Sequence, residues 1–117
     1  FEDENRFLID TIRGIYVPKD ILDCFNEIDD FWVDSVKMGV KKLSEEEFTA
    51  RTHLGFGMWI RNNWQLWRGS RLSKFFNEKG VYHPDSMSWI ILLSYHRYLN
   101  NKKLRLEEQF ETYQGYD

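Results

Sequence analysis

The segment 83-HPDSMSWIILLSYHRYLN-100 is the longest helical signal in the chain and the one that most restricts its fold. At 100° per residue, Ser88, Ile91, Leu92, Tyr95 and Leu99 share one face, and Trp89, Leu93 and His96 widen it to half the circumference or more. A helix apolar over so wide an arc has to be covered on several sides. It is therefore expected at the centre of the molecule, opening at His83, Pro84 and Asp85 and ending at Asn100 and Asn101.

The remaining punctuation is helical too. Pro18 opens a segment in which Ile21, Phe25, Ile28 and Trp32 recur at helical spacing, and Val33, Val36, Val40 and Leu43 continue a similar period. Ser44 with Glu47 reads as a capping box, each side chain satisfying the other's free backbone N–H. Ser70 is a second N-cap, and the helix it starts, with Leu72, Phe75 and Phe76 apolar, stops at Gly80. Residues 104–113 read as a last, shorter helix. Alternating strand patterns are nearly absent. The fold class is all-α: one domain over residues 1–117, of about six helices around a Trp-rich core. At 117 residues such a chain buries one core without needing disulfides or metals. Cys24 is the only cysteine, falls in phase with Ile21, Phe25 and Ile28, and is read as a small buried hydrophobe.

The stretch 58-MWIRNNWQLWRGSRLSKFF-76 carries the functional question. From Phe48 to Asn77 there is no Asp or Glu, while Arg51, Arg61, Arg68, Arg71 and Lys74 are basic, in a chain whose net charge is −3. Read as a helix, residues 57–68 put Phe56, Trp59, Ile60, Asn63, Trp64 and Trp67 on one arc and Arg61, Gln65 and Arg68 on the other. The tryptophans are expected inside and the arginines outside. Asn63 then sits among rings, where an unpaired amide would cost about 1–3 kcal/mol, so it needs a partner. That partner is either a neighbouring loop, such as the Gly69 turn or the approach to His83, or a ligand. Arg68 and Arg71 flank Gly69 and Ser70 at a helix start, a geometry that attracts phosphate or carboxylate.

No P-loop, dinucleotide fingerprint, zinc motif or nucleophile elbow occurs, and His53, His83 and His96 lack metal-ligand spacing, so neither a cofactor nor a metal is indicated. His83 reads as a helix cap and His96 as a core histidine; the alternative is acid–base work by His83, Asp85 and His96. Arginines beside stackable rings suit single-stranded nucleic acid, but the acidic pI near 5.6 and the inward phase of the rings argue against it. No run approaches the roughly 18 apolar residues of a membrane span. The chain begins at Phe1, which leaves both a cytoplasmic protein and one exported after loss of a signal peptide open.

The segments 16-YVPKDILDCFNEID-29, 43-LSEEEF-48, 59-WIRNNWQLWRGSRLSKFF-76 and 80-GVYHPDSMSWIILLSYHRYLN-100 resemble a family of small bacterial domains of unknown function. Its pattern runs W-I-R-N-N-W-G-L-W-x-G-S-R-L-S-K-Y-F, then H-P-D-D-M-S-G-I-I-L. The resemblance spans about residues 16–113 and picks out Trp59, Arg61, Asn62, Asn63, Trp64, Trp67, Gly69, Ser70, Arg71, His83, Pro84, Asp85, Met87 and Ser88. It implies no established activity. Gln65 and Trp89 stand where the pattern has glycine, and Ser86 where it has aspartate. If those glycines line a cleft, the bulkier side chains here partly fill it.

The expectation is a non-catalytic helical module that binds another protein or an anionic small ligand through an exposed basic face. Its candidate residues are Arg61, Asn62, Asn63, Arg68, Ser70, Arg71, His83 and Asp85. The alternative is a small hydrolase using His83, Asp85 and His96 with an arginine as anion anchor.

Overall fold

The computed structural model describes residues 5–114; residues 1–4 and 115–117, which the expected domain also includes, lie outside the described residues. Among the described residues, a hairpin, β1 (Thr11–Ile12) and β2 (Ile15–Tyr16), precedes seven helices. These are α1 (Ile21–Phe31), α2 (Asp34–Lys42), α3 (Glu45–His53), α4 (Phe56–Asn63), α5 (Arg71–Glu78), α6 (Pro84–Leu99) and α7 (Leu106–Tyr113). The chain is thus predominantly all-α.

The hairpin was not anticipated from the sequence. Thr11 pairs with Tyr16 and Ile12 with Ile15, and both turn residues, Arg13 and Gly14, have positive φ (53° and 79°). That is the two-residue turn whose twist suits antiparallel strands, and Ile-Arg-Gly-Ile was its sequence signal.

Helix α6 is central, as its wide apolar arc requires: it packs against each of the other six helices. Ile90, Ile91 and Tyr95 are fully buried, and Met87 and Leu92 nearly so. Removing each such side chain from water contributes about 1.5–3 kcal/mol. Around it, rings from three helices and a connection interlock. Trp59 lies 5.1 Å from Phe31 and 5.9 Å from Trp64, and Trp32 lies 4.9 Å from Phe56 and 5.6 Å from Tyr95. Edge-to-face pairs dominate this cluster, the arrangement aromatic quadrupoles favour. Cys24 is buried beside it, and burial pushes its thiol pKa well up, which leaves it inert.

The caps follow the sequence closely. Ser44 and Glu47 form the capping box of α3, and Ser70 and Ser73 form another at α5. Asp20, two residues beyond Pro18, caps α1. Three helices end alike, with a left-handed residue followed by an N–H that bonds five residues back. Leu66 bonds Arg61 O, Val81 bonds Phe76 O and Lys102 bonds Arg97 O, each at about 3 Å. The left-handed residues are Gln65 (φ 56°), Gly80 (82°) and Asn101 (55°). Glycine and asparagine adopt that conformation at little cost; glutamine does so at about 1–2 kcal/mol and needs compensation.

Candidate functional site

Gln65 receives it. Its Oε1 accepts a 2.7 Å bond from Arg6 NH2 and its Nε2 donates to Asn62 O at 3.2 Å. Arg6 also donates through Nε to Gly69 O at 2.9 Å, and Ser70 Oγ donates to Trp64 O at 2.8 Å. Gly69 has φ 96°, and a Cβ there would meet the Phe7 ring at 3.2 Å. Residues 64–69 therefore form a turn pinned from both sides. Because α4 ends at Asn63, residues beyond it leave the helical phase, and Trp67 turns outward instead of joining the core. Trp67 is 56% exposed, whereas Trp64 is fully buried and Trp59 partly so.

Two arginines of the expected basic face are not on a face at all. Arg61 is 5% exposed: NH1 donates to Ser88 Oγ at 2.9 Å, NH2 donates to His53 O at 2.9 Å, and Nε lies 3.3 Å from Asp85 Oδ1. Helix α4 is covered on two sides, by the aromatic cluster on one and by α3 and α6 on the other, so the polar side of its wheel is also interior. Arg71 donates through Nε to Val17 O at 2.8 Å and sits over the Tyr16 ring, 5.1 Å from its centroid. Its NH2 is 3.8 Å from Asp23 Oδ2, which also accepts a 2.6 Å bond from the Tyr16 hydroxyl. That bond, with burial adding, raises the Tyr16 pKa. Arg71 thus ties the hairpin and the start of α1 to α5.

Ser70 is fully buried as a cap. Asn63 is half-buried and donates to Trp59 O, one turn back in its own helix, at 2.9 Å. It clamps no loop; Arg6 and Ser70 do that work. His83 is exposed and caps α6, its Nδ1 accepting from Asp85 N at 3.1 Å, and its ring lies 5.6 Å from Trp67.

The hydrolytic constellation does not assemble. His83 and His96 stand thirteen residues apart on one helix, about 20 Å at 1.5 Å per residue. His96 is buried against Phe48 and donates through Nε2 to Leu43 O at 2.8 Å. Among the described residues, no group of three His, Cys, Asp or Glu is placed to hold a metal ion. No helix among them is long and apolar enough to cross a membrane.

What the fold brings together is a groove of about 200 Å³ lined by Arg13, Arg61, Asn62, Gln65, Trp67 and Arg68. Arg13 comes from the hairpin turn, Arg61 and Asn62 from α4, and the rest from the pinned turn. Arg68 and Asn62 are exposed, Arg61 lies beneath and Gln65 is nearly buried. Arg13 escaped the sequence reading because its role depends on a hairpin that was not foreseen. A second depression, about 250 Å³ and mostly apolar, is bordered by His53, Asp85, Ser86, Trp89 and Tyr113. Gln65 and Trp89 thus border two different depressions, and Gln65 holds its left-handed position through its side-chain bonds to Arg6 and Asn62.

The model of a family described as "Domain of unknown function (DUF6794)" matches residues 17–99. No curated protein and no solved structure matches the chain. The matched region holds α1 to α6 and leaves out the hairpin that supplies Arg13.

Proposed function

Given that the chain belongs to this family of domains of unknown function, we propose that it is a non-catalytic binding module. It takes up an anionic group, borne by a protein partner or a small ligand, in the groove between the hairpin and the turn after α4. The observation that carries this reading is the lining itself: three arginines and two amides converge there, with no carboxylate among the described lining residues. Arg61 is already engaged by Asp85, and the exposed Arg68 and Asn62 are the contacts offered to the ligand, with Arg13 beside them in the lining. The pinned turn fixes Trp67 and Arg68 in advance, which lowers the ordering cost of binding.

Exposed guanidinium groups in high dielectric contribute about 1 kcal/mol each at 4 Å, so a lone anion should bind with Kd on the order of millimolar or weaker. Amide NMR of the 15N-labelled protein with inorganic phosphate tests this. Shifts are expected at Asn62, Trp67 and Arg68, weakening as salt rises. An Arg13→Gln/Arg68→Gln double variant should keep the fold and lose them. Shifts that persist in the double variant would refute the assignment.

A further inference from the structure

We propose that the face between α3 and α7 is a docking groove for one amphipathic helix of a partner protein, apolar on its buried side and acidic at its C-terminal end. This goes beyond the anion groove and uses none of the residues that hold the anion. Between Pro84 and Arg97 every residue of α6 is buried except Asp85, Trp89, Leu93 and Arg97, which are half-buried. The four stand at i, i+4, i+8 and i+12, so they form one ridge of the helix surface, about 18 Å long at 1.5 Å per residue. Over these turns the central helix is covered on every side but this one.

Helices α3 and α7 pack on α6 at either side of the ridge and run opposite to it. Glu45, at the start of α3, pairs with Arg97, while His53, at its end, meets Trp89 edge to face at 5.8 Å. Arg97 NH1 donates to Leu104 O just ahead of α7 at 2.8 Å, and Tyr113, at the end of α7, borders the apolar depression beside Trp89. Depressions follow one another along the ridge: about 250 Å³ at Asp85 and Trp89, 130 and 220 Å³ on the two sides of Leu93, and 550 Å³ at Arg97.

The chemistry changes along the groove. Its middle is Trp89 and Leu93. Its wide end is lined by Arg97, Lys102, Lys103 and Arg105, with Glu45 the one carboxylate among the described lining residues. Glu45 is taken by Arg97 and Glu108 by Arg105, whereas Lys102 and Lys103 are exposed and in no salt bridge among the described residues. Both α3 and α7 start at this end, which adds the positive ends of two helix dipoles. Helix α6 finishes there, but its last carbonyls are bonded by Asn100, Asn101 and Lys102. An incoming helix therefore points its C-terminus, with acidic side chains in the last turn, at Lys102 and Lys103. It lies parallel to α6 and antiparallel to both walls. An extended segment finds less here: strand addition uses the open main-chain groups of a sheet edge, and the three helices of this groove bond theirs internally. A small anion would fill the basic end and leave Trp89 and Leu93 wet.

The probe is an alanine-based peptide of about 18 residues, long enough to be helical alone, with leucines at i, i+4, i+7 and i+11 and glutamates in its last turn. A second peptide carries the glutamates in its first turn, where they favour the helix itself, so stronger binding of the first cannot come from helicity. Both are titrated into the 15N-labelled protein. Shifts are expected at the Trp89 indole N–H and the amides of Leu93, Lys102 and Lys103, with the first peptide bound about tenfold more tightly than the second. Lys102→Glu/Lys103→Glu changes exposed residues only and should abolish or reverse that preference. Leu93→Gln should weaken both peptides alike. Ridge shifts absent with both peptides, equal affinities in the wild type, or a preference that survives the double variant overturns the inference. Concentration-dependent shifts at the same residues without peptide would assign the face to a second copy of this chain and overturn it too.

Discussion

Arg61 Nε lies 3.3 Å from Asp85 Oδ1, which joins the middle of α4 to the first turn of α6 through a guanidinium that is 5% exposed. All three nitrogens of that guanidinium have partners, spread over two elements: the His53 carbonyl at the end of α3, and Ser88 and the Asp85 carboxylate of α6. Taking the arginine away strands the carbonyl of His53 and the carboxylate of Asp85. Arg61→Met is expected to lower the unfolding free energy by about 2–4 kcal/mol, the lower part of the range for a broken buried pair because Asp85 is half exposed. Arg61→Lys should recover less than half, since a single ammonium cannot reach three acceptors in a fork. Urea denaturation of the two variants measures both; a loss under 0.5 kcal/mol on either would contradict Arg61's structural role.

Gln65 in its left-handed conformation sets two effects against each other. Gln65→Gly relieves the backbone but frees Arg6 from its 2.7 Å bond; Gln65→Ala loses the bond and keeps the strain. The alanine variant should be the less stable of the two by about 1 kcal/mol. Equal midpoints in chemical denaturation at equal slope would show that the left-handed backbone carries no cost here.

Asn63 and Ser70 separate local from tertiary bonding. Asn63 bonds only the carbonyl one turn back, and alanine favours a helix by about half a kcal/mol, so Asn63→Ala should change stability by less than about 1 kcal/mol. Ser70 is fully buried, caps α5 and holds Trp64 O, so Ser70→Ala should cost about 2 kcal/mol. Thermal and urea midpoints of both variants decide it, and the reverse order would contradict the assignment of the clamp.

Alkaline pH should unfold the protein through Tyr95. Its hydroxyl donates to Asp29 Oδ1 at 2.7 Å, and Tyr98 donates to Oδ2 at 3.2 Å. Burial first, then the bond and the charge of Asp29, raises the Tyr95 pKa far above the usual value. The unfolded phenol releases its proton near pH 10 while the folded one retains it. The stabilisation is therefore whole below about pH 10 and is lost as pH rises beyond it. Unfolding free energies measured across that range should fall for the wild type and fall less steeply for Tyr95→Phe. Parallel slopes would remove Tyr95 as the cause.

Much of the fold was legible because helix signals are local. The capping pair Ser44 and Glu47, the Ser70 cap and the wide arc of α6 each declare themselves within one or two turns of chain. The site was less legible, for two reasons that can be traced to particular residues. Periodicity assumes that the helix continues, but α4 ends at Asn63 and Gln65, a residue type that gives no hint of a left-handed stop, turns the chain; Trp67 therefore points where no helical wheel places it. A wheel also tells polar from apolar but not solvent from a second helix, which is why Arg61 reads as exposed and lies inside. Arg13 depends on a hairpin of two-residue strands, too short for alternation to register.

The central claim, that Asn62 and Arg68 hold an anion in the groove, is tested most directly by a crystal structure of the protein with tungstate, whose scattering identifies the bound ion. The account predicts an oxyanion in the groove, with oxygens within about 3.2 Å of the Arg68 guanidinium and the Asn62 amide. Tungstate bound only elsewhere, or bound there without contact to Arg68, would contradict it.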